Sequence, residues 1–468
     1  MDDTSQVKAL LQINNLDYRI PPALSVAVSR SHAKYPLGQQ VVSSSNNRSL
    51  IFSLPSGAQY VNLRNSFIKF TVTVNPAAAD PPNTIRTFNN AHERAAGAQP
   101  TIGCPGVLAL LKGMSYRHST GTILDERNNS LGALAFQRAQ WAFGNDWKKS
   151  VGSLFGYCNT TDSYTVPGLA PPAVDRVYPY HNFTNGGGRT VSPFFASSGP
   201  SKTYIIPLML LSDIFGQDKL APSFMVAGSR LQIDLETPTA AWITDPAAGT
   251  AGWTISQASI YLEQYQLTDA IAKTISSISA TSGLEFPFVS WHAQSKNTPA
   301  ANKQVTFQVS RSLSRANTVM WITRHTNDLE NQFRNSVAPI SFSLAQDANL
   351  RFNMQLGGQY IPIQPAEGAL ELFQHALIAN GKYHSVLGTD LNYYRDWLNG
   401  GAGAIQFSLE TSSTLEQSGS ALSAQRVLVL NLERDLSTIE PLSQKNHLLF
   451  VSYVRLPTFY LDSVIVRS

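Results

Sequence analysis

The chain has 468 residues, 35 Lys+Arg against 31 Asp+Glu and a formal net charge of +4. Only 14% of its residues are charged, where soluble domains carry about 25%. Hydrophobic residues reach 43% and aromatics 10%, which excludes a disordered polymer. Two cysteines, Cys104 and Cys158, are too few for a disulfide framework or a four-cysteine zinc site, and they are read as free buried thiols.

The chain opens Met1-Asp2-Asp3 where an export signal would be basic, and Asn14, Asn15, Asp17 and Arg19 interrupt its apolar residues. The longest apolar run, Tyr204–Leu211, falls short of a membrane span. A soluble protein made in a cytosol, with no membrane span, is the expectation. The pI of 8.9 does not reflect a basic arm. Lys8, Arg19, Arg30 and Lys34 are offset by Asp2, Asp3 and Asp17, and the pair Lys148-Lys149 stands alone. Nucleic acid is bound by several neutralising charges acting together, so no specific nucleic-acid site is expected.

In chain order, the clearest signal is period-two alternation, which buries one face of a strand. Ile68, Phe70, Val72 and Val74 alternate with Lys69, Thr71 and Thr73. A long loop, Asn75–Gly103, follows, then a strand pair over Gly113–Glu126 and a helical pattern over Leu131–Phe143. After the loop Pro167–Ser201, a strand Thr203–Leu210 leads into a short helix predicted at Leu211–Lys219. Leu231, Ile233 and Leu235 alternate next, the loop Pro238–Gly252 intervenes, and Ile255–Leu267 reads as a closing strand.

A boundary lies at Thr268–Gly283, and Leu284–His292 opens a new strand series. Val305–Val309 and Leu350–Leu356 alternate, Ala366–Ala379 has helical spacing, and Ile405–Leu409 alternates again. One-sided alternation indicates antiparallel sheets. The halves repeat one coarse order, so the fold class is all-β: two tandem eight-stranded β-sandwiches with short helices and long loops inserted. The expected division is an N-terminal arm 1–36, a first sandwich 37–270, a linker 271–283, and a second sandwich 284–468 that includes a C-terminal tail.

Catalytic constellations are missing. Gly381-Lys382 is followed by Tyr383 and has Ala376 where a P-loop needs its first glycine. Gly400–Ala404 and Gly186–Gly188 read as loops. His92-Glu93 has no second histidine, and His118, His181, His292, His325, His375, His384 and His447 show no ligand spacing. His375 reads as packed or surface, and Asp125-Glu126 as a turn after a strand. No GxSxG elbow occurs. The sequons at Asn47, Asn128, Asn159 and Asn182 read as chance in a chain rich in Asn, Ser and Thr. No catalytic, cofactor-binding or metal-binding residue is nominated, and no enzyme is expected.

Ile51–Asn75 joins an extended segment, Tyr60-x-x-Leu63, Ser66 and an alternating strand. That form resembles the opening strands of double jelly-roll major capsid proteins of eukaryotic double-stranded DNA viruses and related virus-like elements. Leu110–Leu131 is similar to the next strand pair of that family, with Gly121-Thr122-Ile123 closing the hairpin. Tyr204–Phe215 resembles its Ile-Pro-Leu strand and short helix, and Ser256–Leu267 the strand closing the first barrel. Asn317–Arg324 and Ala348–Gly358 fall where it places strands of the second.

The resemblance implies two jelly rolls per chain and homotrimeric, pseudo-hexameric capsomers tiling an icosahedral virion shell. It implies neighbouring capsomers, penton and minor capsid proteins as partners, with contact to the genome or an inner membrane at the inner face. Met1–Pro36 and Leu456–Ser468 become candidate tethers. Two other readings stay open. One is a carbohydrate-binding or carbohydrate-active β-sandwich using Trp141, Trp147, Tyr393, Tyr394 and Trp397. The other is a single jelly-roll coat protein with a protruding domain, against which the missing basic arm counts.

Overall fold

The computed structural model describes residues 27–38, 42–54, 57, 60–75, 106–155, 183–185, 189–191, 201–237, 252–299, 302, 304–325, 350–383, 404–409, 420–423, 426–433, 445–461 and 463–467. In the first half the strands are β1 (Ala27–Pro36), β2 (Val42–Ser43), β3 (Ser49–Ser53), β4 (Tyr60–Asn75), β5 (Leu111–Arg117), β6 (Ile123–Arg127), β7 (Phe183–Asn185), β8 (Arg189–Val191), β9 (Ser201–Pro207), β10 (Arg230–Leu235) and β11 (Gly252–Leu267). One sheet runs β1-β11-β4-β9 and a second β3-β10-β5-β6, while β7 and β8 form a separate hairpin. Ile68, Phe70 and Val72 of β4 face Leu231, Ile233 and Leu235 of β10 in one core, as the alternation predicts.

The second half repeats this order. Its strands are β12 (Leu284–Glu285), β13 (Phe288–Thr298), β14 (Gln304–Val309), β15 (Leu313–His325), β16 (Arg351–Leu356), β17 (Gln359–Glu367), β18 (Ile405–Ser408), β19 (Ser420–Leu422), β20 (Leu428–Glu433), β21 (Lys445–Phe459) and β22 (Val464–Arg467). One sheet contains β13-β21-β15-β18 and the other is β14-β20-β16-β17. With the short strands β2, β7, β8, β12, β19 and β22 set aside, eight remain in each half. In both halves the first sheet takes strands one, eight, three and six, and the second takes two, seven, four and five. All pairings in them are antiparallel. Each half is a jelly roll.

A helix follows the fifth strand in both barrels, Leu131–Trp141 after β6 and Gly368–Ala379 after β17. Leu131–Trp141 is buried on nearly every side, because Leu131, Leu134, Ala135 and Phe136 meet the first core from around its circumference. Its one half-buried side chain, Arg138, donates to Leu210 O at 3.1 Å and Met209 O at 3.0 Å and pairs with Asp213. The fifth strand of the second barrel is entered through Gly357 and Gly358, at φ 57° and 91°, the two left-handed positions of a tight hairpin. A Cβ on Gly357 would meet Arg426 Cγ at 2.9 Å.

Several expectations are corrected. The helix expected at Leu211–Lys219 comes earlier, over Leu208–Leu211, and a 3-10 turn follows at Asp213–Gly216. Helix Asn145–Leu154 went unread, because Lys148-Lys149 and Asn145-Asp146 mask its few apolar positions. Asp125-Glu126 lies inside β6 and is not a turn. Of the expected arm 1–36, residues 27–36 form β1, paired with β11 from Ala27↔Leu267 to Pro36↔Ser259. The stretch 271–283 falls largely in a helix, Asp269–Thr281. In the C-terminal segment, Val464–Arg467 turns back as β22 on β21, pairing Leu456↔Arg467, with Phe459 and Val464 buried in a core. Cys104, Cys158 and the long loops Asn75–Gly103 and Pro238–Gly252 lie essentially outside the described residues.

The second core centres on Trp321, whose indole meets the Phe307 ring edge-on at 4.8 Å and that of Phe352 at 5.9 Å. Trp321→Ala is expected to cost the second barrel about 3–5 kcal/mol. Denaturant unfolding would show this as a transition moved to lower denaturant.

Candidate functional site

Among the described residues, the histidines and aromatics singled out in the sequence do not converge on one site. Among the described residues no group of three His, Cys, Asp or Glu side chains could hold a metal ion, and no helix is long and apolar enough to cross a membrane. His447 is a core histidine: Trp321 Nε1 donates to its Nδ1 at 3.3 Å, and Thr323 and Thr298 hydroxyls lie 3.0 Å from Nδ1 and Nε2. His375 stacks on Phe407 at 4.4 Å, and burial lowers its pKa against the opposing pull of Glu371. His292 is pushed down to about 4 by burial and by Arg311. Trp141 is buried and Trp147 stacks on Phe143 at 3.9 Å, so neither is displayed to a sugar. Tyr393, Tyr394 and Trp397 lie outside the described residues.

What the fold does build is a seam between its barrels. In β15, Val319 and Trp321 enter the second core while Met320 and Ile322 enter the first. In β21, Leu449 and Val451 face the second core and Leu448 and Phe450 the first. This sheet is therefore apolar on both faces, one closing its own barrel and the other packed on its neighbour. Phe286, Phe288, Phe459 and Val464 join the same first core. Helix Leu131–Trp141 crosses in the other direction, with Trp141 in the second core against Phe373 at 6.4 Å.

At the seam β6 presents two side chains of one pleat face, Asp125 and Arg127, while Leu124 points into the first core. The side chains of Arg127 and Asp125 are 2% and 0% exposed and pair at 3.0 Å. The Asp125 carboxylate also accepts from Ser212 and from Ser290 of β13 at 2.7 Å. Arg127 Nη1 reaches across to Ser290 Oγ at 2.9 Å and to Trp291 O at 3.1 Å. In return Arg455 of β21 donates to Ile123 O of β6 at 3.3 Å. A charge pair withdrawn from water costs several kcal/mol per ion in desolvation, which these bonds must offset, and they add directional contacts to the apolar seam.

A second polar cluster anchors β1. Glu263 of β11, its side chain wholly buried, accepts from Asn62 at 2.8 Å, Asn65 at 2.7 Å, Tyr265 at 3.1 Å and Arg30 of β1. Burial raises its pKa, but the donors Asn65, Tyr265 and Arg30 outweigh it and hold the carboxyl below its ordinary value.

This doubled topology occurs in known structures. A structure of the Sputnik virophage from cryo-electron microscopy matches with a TM-score of 0.60, at 11% identity, over 98% of this chain and 91% of that one. The PBCV-1 virus capsid matches at 0.55 and 10% identity over 94% and 97%, and the Faustovirus major capsid protein at 0.55 and 10% over 95% and 93%. The chain has the double jelly-roll fold. No family model and no curated protein matches its sequence. The single-barrel reading is excluded, because both halves of the chain are complete jelly rolls.

Asp125→Ala leaves Arg127 buried without its counter-charge and is expected to destabilise the chain by about 3–5 kcal/mol, while Asp125→Leu combined with Arg127→Met recovers most of that loss. Denaturation midpoints of the three proteins check both. Because its carboxyl is lowered, Glu263 contributes its clamp above the ordinary value of 4.5 and loses it as pH falls through the lowered pKa. Amide exchange of Ser29–Tyr35 is expected to accelerate below pH 4.5 relative to Ile68–Val72, with Glu263→Gln removing that pH dependence.

Proposed function

We propose that this chain is a structural major capsid protein, without catalytic activity, of a double-stranded DNA virus or related virus-like element. The observation that carries the reading is the doubled jelly roll, which aligns over nearly its whole length with the Faustovirus major capsid protein and the PBCV-1 virus capsid. In this reading the helix Asp269–Thr281 marks the division between a first and a second barrel. Three copies form a pseudo-hexameric block, and blocks tile an icosahedral shell in the virion after synthesis in the host cytoplasm.

The physical features suit that role. Two barrels welded through a shared apolar layer make a rigid building unit, since packed cores deform little. A chain with 14% charged residues and a net charge of +4 limits repulsion between many adjacent copies. Neighbouring capsomers, penton and minor capsid proteins are the partners, and the inner face meets the genome or an inner membrane. Of the aromatics named for the carbohydrate reading, Trp141 is buried in the second core and Trp147 is stacked on Phe143.

Light scattering of the purified chain, followed by electron microscopy, tests this. A particle three times the mass of one chain, with six lobes in projection, is the expected result. A strict monomer at high micromolar concentration overturns it.

A further inference from the structure

The seam inside the chain follows a rule that the second barrel leaves unused. There, the edge strand of one sheet in the first barrel, β6, and the turn beside it abut the first and eighth strands of the second barrel, β13 and β21. His118, just before that strand, lies 5.9 Å from Phe459 of β21. By position in the jelly roll, the counterpart of β6 is β17, and the counterparts of β13 and β21 are β1 and β11. Among the described residues neither of these surfaces is covered.

The β17 edge is built to be covered. Ile363 is 89% exposed, Tyr360 52% exposed, and Leu370 at the start of the following helix 62% exposed. All three lie in one stretch of chain, on the strand and on the first turn of the helix that follows it. Glu367 and Glu371 stand in the same stretch, with Arg351 on Glu367 at 3.1 Å. The outer face of β1 and β11 is of opposite character. Arg30 and Lys34 lie over the rings of Tyr265 and Tyr261 at 6.0 and 5.9 Å, Phe67 stacks on Tyr261 at 4.7 Å, and Lys69 projects from the same side of β4. Aromatic rings under a basic rim fit an apolar edge flanked by carboxylates.

We propose that β17 and the start of helix Gly368–Ala379 of one copy dock head-to-tail on the β1–β11 face of the next. This rests on the capsid reading and names the surfaces by which its copies join. The contact is heterologous, so each chain has one donor edge and one acceptor face, and successive copies close into a ring.

Two variants test it. Ile363→Asp with Leu370→Asp disables the edge, and Lys34→Glu with Lys69→Glu disables the face. Each is expected to weaken self-association by on the order of tenfold or more, with melting temperature unchanged. Mixed together they are expected to form a heterodimer that goes no further, because one chain keeps its face and the other its edge. That heterodimer also shows that both variants are folded. Wild-type trimers that persist in both variants overturn this contact and leave the capsid reading standing. Variants that lose assembly but fail to complement also overturn it. A wild-type chain that stays monomeric overturns the capsid reading and the contact together.

Discussion

The architecture depends on one sheet having no face to give to water. In β15 and β21 successive residues, Met320 and Trp321, Leu449 and Phe450, all bury, half of them in each core. The equivalent strand of the first barrel, β4, buries Ile68, Phe70 and Val72 but leaves Lys69, Thr71 and Thr73 partly exposed. The two barrels share a topology and differ in this one respect. A sheet apolar on both sides must be covered on both. The first barrel supplies the cover, and the pair becomes one body.

Hydrophobic packing alone does not set the angle or register of that cover, since it is non-directional. The buried Asp125–Arg127 pair adds directional contacts to it. Arg127 donates to Ser290 and to the Trp291 carbonyl, and Ser290 donates to Asp125, all across the seam. A shifted docking breaks these bonds and leaves buried polar groups without partners. Glu263 plays a comparable part for β1, tying to the sheet a strand whose side chains are mostly exposed.

Much of this was legible in the chain. Strands such as Leu231–Leu235 and Val305–Val309 alternate cleanly because one face of each meets a core and the other meets solvent. The helices after β6 and β17 were visible for a similar reason, as their apolar spacing is local. Val319–Ile322 and Leu448–Val451 are continuous apolar runs, as a strand buried on both faces requires. A continuous run alone does not say what lies on its second side. Asp125 is not legible as a buried strand residue, because an isolated Asp-Glu pair looks solvated until its partners arrive from more than 80 residues away. The arm hid β1 for a related reason: Arg30, His32 and Lys34 look like a solvated stretch until Glu263 is placed beneath them.

The sequence by itself determined that the chain is all-β, that its halves repeat, and that no compact catalytic motif interrupts them. These depend on periodicity, composition and spacing, which are local properties. Only the tertiary structure decided which barrel face is shared, which edge stays open and which carboxylates are buried. Those outcomes depend on residues such as Asp125 and Ser290, or Arg30 and Glu263, that are distant along the chain and meet only after both sheets have closed.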